Sequence, residues 1–96
     1  MTELERAVAD ALRLSTAAAT SLLPTIQRNI SAGQMELIRS GVSEETVLAG
    51  GALVEDCIIS FCLVRMGDED GRAWYEEAFR TQEDNLRKSE SANNEE

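Results

Sequence analysis

The chain of 96 residues contains no histidine, one proline, one lysine, two cysteines and few aromatic residues. Without histidine there is no imidazole to act as a base near neutral pH and no usual zinc ligand set. Cys57 and Cys62 are five positions apart. That spacing fits neither a metal clamp nor a bridge within one helix, so both read as reduced core thiols packing as small hydrophobes. Reduced thiols suit a reducing compartment. No segment reads as a signal peptide, and the longest apolar run is too short and too interrupted to span a bilayer. Phosphate-loop, dinucleotide and nucleophile-elbow glycine motifs are all missing. A thiol nucleophile at Cys57 or Cys62 would lack a base, and Glu55–Asp56 is better explained by a helix N-terminus than by a tuned acid pair. These absences point to binding or assembly, with no catalytic residues, no metal site and no cofactor.

What is present is acid. The formal net charge is −9, which keeps a chain dispersed and repels nucleic acid at long range. The basic residues are eight arginines and Lys88. Arginine suits bidentate pairing with carboxylates at interfaces, although a GC-rich genome accounts for the bias equally well.

Ala52 to Met66 (ALVEDCIISFCLVRM) is the most apolar stretch. Wound as a helix, it puts Leu53, Val54, Cys57, Ile58, Phe61 and Val64 on one broad face, with Cys62 at the edge. Glu55, Asp56 and Ser60 fall on the other side, yet so do Ile59, Leu63 and Met66. A helix apolar on two sides is central in its fold or packs against a second subunit. A buried strand is the rival reading, and the length of the run favours the helix.

The remaining elements follow in order. Thr2 and Glu5 form a capping box, and Leu4, Val8, Ala11 and Leu12 make one stripe, so a helix is expected over 3–13. Arg6 and Asp10 pair along its flank. Ser15 to Thr20 reads as a linker, with Ser21 capping a second helix over 22–40 and Pro24 in its first turn. Leu23, Ile26, Ile30 and Leu37 form the inner stripe of that helix, Met35 points away, and Gly41 ends it. Gly33 in its interior marks a close helix crossing. Val42 to Gly51 is a connector that includes one possible helical turn. The central helix covers 52–66. The acidic turn Asp68-Glu69-Asp70-Gly71 lacks the glycine and glutamate positions of a calcium loop, leaving Asp70 as a helix cap. A last helix is expected over 72–87, with Trp74, Tyr75, Ala78, Phe79, Gln82 and Leu86 inside. Glu76–Arg80, Arg80–Asp84, Glu83–Arg87 and Asp84–Lys88 are charge pairs along its outside. Residues 89–96 carry too little apolar surface to order alone and read as a flexible polar tail. The expected fold is all-α: one small bundle of about four helices over 1–88.

From Leu53 to Ser89 the pattern is an apolar helix, a glycine, an acidic turn and an aromatic-bearing helix, with Trp74, Tyr75, Phe79 and Leu86 in place. This arrangement resembles the head–tail connector (adaptor) proteins of long-tailed bacteriophages. The Ser40-Gly41-Val42 turn upstream matches too, so the resemblance covers about Leu22 to Ser89. It departs at Phe61 to Met66, where relatives carry a tyrosine and then Phe-Gly. The resemblance implies a virion protein at the head–tail junction. Its copies would form a homo-oligomeric ring, dodecameric in the virion, seated on the portal protein. The ring would extend the channel for the packaged DNA and dock a neck or tail completion protein. Under that reading Ile59, Leu63, Met66, Arg65, Arg87 and Lys88 are candidate subunit or portal contacts. Two other readings compete. One is a small acidic phage or bacterial regulator that binds a host protein, against which the scatter of its acids counts. The other is a homodimeric helical scaffold.

Overall fold

The computed structural model describes the backbone of residues 1–94 and the side chains through Glu90. Among these residues there are five helices and no strand: α1 (Glu3–Ala11), α2 (Thr16–Ser40), α3 (Glu44–Ala49), α4 (Ala52–Met66) and α5 (Arg72–Asn94). The all-α expectation holds, and the helix count exceeds the expected four by one.

α1 starts at the expected capping box. Thr2 accepts from the Glu5 amide at 3.1 Å, and Glu5 Oε1 accepts from the Thr2 amide at 2.8 Å. The helix stops at Ala11, two residues short of expectation, because Arg13 turns into the left-handed region with φ 58°. The Leu14 amide then reaches back to the Ala9 carbonyl at 3.1 Å. That six-to-one bond closes the helix without the glycine usual at this position.

The linker expected over Ser15 to Thr20 is instead the start of α2. Ser15, not Ser21, is the cap, accepting from the Ala18 amide at 3.1 Å. Ala19 is buried, which pins this turn to the core. Thr20 satisfies its own hydroxyl on the Thr16 carbonyl at 3.0 Å. Ser and Thr oppose helix only where they capture backbone groups in a competing turn, and here they bond along the helix. Pro24 therefore lies inside α2 rather than in its first turn. Its ring is on the exposed side, where water can serve the Thr20 carbonyl that proline leaves without a donor. Gly41 ends α2 in the left-handed conformation, φ 118°, as expected.

The connector holds a true short helix. Ser43 caps α3 by accepting from the Thr46 amide at 3.2 Å and gives its own proton to Thr46 Oγ1 at 2.8 Å. The Thr46 hydroxyl in turn donates to Glu90 at 3.1 Å. This relay ties α3 to α5 and gives a physical reason for the other correction. Residues 89–94, expected to be part of a flexible tail, continue α5 to Asn94. Residues 95 and 96 lie outside the described chain.

The core is built around α4, which packs against α1, α2 and α5. Val54, Cys57, Ile58 and Cys62 are buried and meet Val8, Ile26, Ile30, Leu37 and Leu86 from the surrounding helices. Ser60, assigned above to the polar side, is buried as well. Gly33 sits at the expected close crossing: a Cβ there would stand 3.1 Å from Phe61 Cδ1 and 3.6 Å from Ile58 Cγ2.

α4 and α5 form an antiparallel hairpin with a tight turn. Arg72 stitches its two sides together, donating from Nε to the Val64 carbonyl at 3.1 Å and from Nη2 towards the Gly67 carbonyl at 3.5 Å. Carbonyls at a helix end have no partner within the helix, so a guanidinium supplied by the next helix satisfies them and favours the negative end of the α4 dipole. The expected Asp70 side-chain cap does not form; the Tyr75 amide donates to the Gly71 carbonyl at 3.0 Å and the Arg72 amide to the Glu69 carbonyl at 3.2 Å. The Tyr75 ring covers both glycines of the turn. A Cβ on Gly67 would stand 3.0 Å from Tyr75 Cε2, and one on Gly71 2.8 Å.

Two stability outcomes follow. Leu37 is fully buried and Met35 is two-thirds exposed on the same helix. In urea unfolding, Leu37→Ala is expected to cost about 2–5 kcal/mol and Met35→Ala under about 0.5 kcal/mol. Arg72→Ala, which leaves the α4 carbonyls unpaired, is expected to cost about 1–3 kcal/mol.

Candidate functional site

The candidate site is the outer surface of the α4–α5 hairpin, which has two flanks. At 100° per residue, Trp74, Glu77, Ala78, Thr81 and Gln82 share one side of α5, while Glu76, Phe79, Arg80 and Glu83 lie roughly half a turn away. The structure lines two different depressions with these two sets.

The first flank adjoins two exposed apolar side chains. Trp74 is 71% exposed, and Leu53 is 70% exposed at the start of α4. Both were expected to face inwards. Trp74 instead lies edge-on to Tyr75, centroids 5.9 Å apart, while Tyr75 takes the inner position over the turn. Val54, the neighbour of Leu53, takes the core position at the start of α4, and Leu53 joins Gln82, Asn85 and Leu86 around a small hollow. Through Gln82 the two apolar groups belong to one continuous strip.

The second flank is a cleft of about 440 Å³ between α2, α4 and α5. Phe61, Val64 and Phe79 supply its apolar surface, with the two rings tilted at 60° and 5.4 Å apart. Arg65 lies over the outer face of Phe61, 5.4 Å from the centroid, a cation–π contact. Arg39 and Arg80 bring positive charge to the walls, and Glu36, Glu76 and Glu83 bring negative charge. Arg39 holds Glu36 in a two-point bond, Nε to Oε1 at 2.8 Å and Nη2 to Oε2 at 2.7 Å.

Glu36 and Glu83 form an unequal acid pair. The Arg39 hydrogen bonds hold the Glu36 carboxyl below its ordinary pKa. Burial, and then the facing Glu36, push Glu83 above its own. Glu83 Oε2 is buried and makes no hydrogen bond in the structure. The thiols are silent: burial pushes Cys57 up to about 12 and Cys62 up to about 11. Both are therefore protonated at neutral pH and unreactive.

The residues expected at interfaces are dispersed. Ile59 and Met66 pack on the core, and Leu63 and Met66 border a third depression with Leu12, Leu14 and Leu22. The apolar second side of α4 is thus covered at least partly by α1 and the start of α2. Arg87 and Lys88 both hold Asp84, at 2.9 Å each. Of the four charge pairs expected along α5, Asp84–Lys88 forms a contact, and Arg87 turns to Asp84 rather than to Glu83. Arg65 alone of the expected set adjoins the cleft. The cleft itself was missed because its surface comes from three helices, and only the three-helix packing brings Glu36 and Arg39 beside Phe79. The available signal was Gly33, whose close crossing leaves Phe61 against α2.

Among the described residues, no three His, Cys, Asp or Glu side chains converge in a way that would hold a metal ion, and no helix is long and apolar enough to cross a membrane. Compared with family models, curated proteins and solved structures, the chain matches none.

The acid pair has a pH signature. A carboxyl raised in the folded state keeps its proton more tightly than in the unfolded chain, so its contribution to stability falls as pH rises above the ordinary glutamate value of about 4.3. Glu36, held low, acts oppositely and loses its contribution as pH falls. Glu83→Gln is expected to raise Tm at pH 7 by a few degrees at most, since water screens partly exposed carboxylates. The gain should vanish near about pH 4, where Glu83 is protonated anyway; melting curves across that range check it.

Proposed function

We propose that the chain is a structural assembly protein, a head–tail connector whose copies form a ring on a phage portal and offer a docking surface to a neck or tail component. The observation that carries this reading is the exposure of Trp74 and Leu53 on the α4–α5 hairpin, the same segment on which the resemblance rests. Large apolar side chains left in water at this density suit a surface that another protein covers. Two further features support it. The hairpin is braced by Arg72 and Tyr75 rather than left loose, so its surface is pre-organised for docking. The net charge of −9 lets packaged DNA pass without adhering to the subunit. In this role the protein resides in the virion, at the junction of head and tail.

Affinity capture of the tagged chain from a lytic lysate, with the retained polypeptides identified by mass spectrometry, tests the role. Recovery of portal together with neck or tail polypeptides is expected, and its loss in Trp74→Ala would tie it to the hairpin. Recovery of a host regulator or enzyme alone would overturn the connector reading in favour of an acidic regulator.

A further inference from the structure

The exposed apolar groups of the hairpin lie along a groove that carries charge of one sign. Three hollows follow each other on the Trp74 side of α5. Gln82 belongs to the first two, and Leu53, Leu86 and Ser89 belong to the second and third. From Trp74 to Ser89 the strip is about 22 Å long, or about four turns of α5. Trp74, Ala78, Leu53 and Leu86 give it apolar surface, and the charged side chains that line it are Glu77, Asp56 and Glu90. Among the described residues, no arginine or lysine lines any of the three hollows. The basic side chains of the hairpin are engaged elsewhere: Arg72 on the turn carbonyls, Arg65 on Phe61, Arg80 at the cleft, and Arg87 and Lys88 on Asp84. Asp56 and Glu77 are exposed and make no ion pair among the described residues. We infer that this groove takes a basic amphipathic helix of another protein, with apolar side chains against Trp74 and Leu53 and lysines or arginines beside Asp56, Glu77 and Glu90.

Three constraints select that occupant. The apolar groups are spread along the strip rather than gathered in one pit, so a helix laid lengthwise meets them with side chains three and four positions apart. The acids of the groove have no cation beside them in the hollows, and an interface sets opposite charge against such a row: like charge there costs affinity, and opposite charge steers the encounter. A second copy of this chain carries the same net charge of −9 and is repelled as a whole, so the partner is a different polypeptide. The inference rests on the reading of the hairpin as a surface that another protein covers, and adds the chemistry of that partner.

Trp74 is the only tryptophan, so its emission reports on this groove. The full chain would be titrated at about 0.15 M salt with a tryptophan-free synthetic helix of about 18 residues, leucines along one face and lysines along its borders. A saturable shift of emission to the blue is expected, with acrylamide quenching falling at least twofold. The same peptide with glutamates in place of the lysines should produce neither. Asp56→Lys combined with Glu77→Lys changes two exposed side chains and should weaken binding about tenfold. Asp10→Lys combined with Glu76→Lys makes the same change of net charge on other faces and should weaken it less than about threefold. Unchanged emission with the lysine peptide would overturn the inference, as would equal binding of the glutamate peptide or equal weakening by the two double variants. An emission shift on concentrating the chain without peptide would overturn it as well, by seating a second copy on the groove. Capture of the portal is scored separately. If the peptide fails to bind while portal polypeptides are retained, the inference falls and the connector role stands on another surface. If the peptide binds as expected and no portal is retained, the groove keeps its basic partner outside a phage neck.

Discussion

Everything in this molecule follows from the need to cover α4. Its apolar residues point in nearly every direction, so no single neighbouring helix can shield it. α2 crosses it closely at Gly33, α5 runs back along it from the Arg72 turn, and α1 closes part of the remaining side. Burying these aliphatic side chains is a leading favourable contribution against the entropy lost in ordering the helices. None of the helices around it needs to be stable alone. The short α3 is held by its cap and by the Thr46–Glu90 bond, a local device added to that central packing.

With α4 enclosed, the polar residues of the hairpin are sorted by the geometry of α5. One face of α5 is committed to the core through Leu86 and Phe79, which leaves two flanks of unlike character. One carries the exposed Trp74 and Leu53, and the other is a charged, aromatic-floored cleft. The buried thiols and the acid pair work within that frame as packing elements: the first stay protonated, and the second is tuned by Arg39.

The periodic parts of the fold were legible in the chain. The Thr2–Glu5 box, the Gly41 stop, the Gly33 crossing and the extent of α4 all arise from local rules that act within one or two turns. The failures share a cause. Ser15–Thr20 carries mixed signals, alanines against hydroxyl residues, and is settled as helix by the burial of its own Ala19, while the segment after Ser89 is tied down by the Thr46–Glu90 bond. Trp74 and Leu53 were misplaced because apolarity alone was taken to mean burial. Two adjacent aromatics cannot share one face, and Tyr75 holds the inner place. The cleft depends on three helices and has no signature along the chain beyond Gly33.

The turn beneath Tyr75 fixes a distance as well as a shape. Gly67 and Gly71 lie four apart under one ring, and Arg72 must reach back to Val64 and Gly67 across the same gap. The three residues between the glycines, Asp68, Glu69 and Asp70, are exposed. Only Asp68 among them touches the turn's ring, accepting from the Tyr75 hydroxyl at 3.5 Å, so the identities of Glu69 and Asp70 are less constrained than their number. One residue more or fewer would change the span that Arg72 and Tyr75 bridge back to Val64 and the two glycines, at the cost of those contacts. Among diverged relatives of this chain, that gap would act as a ruler: alignable by its length where no letter within it survives.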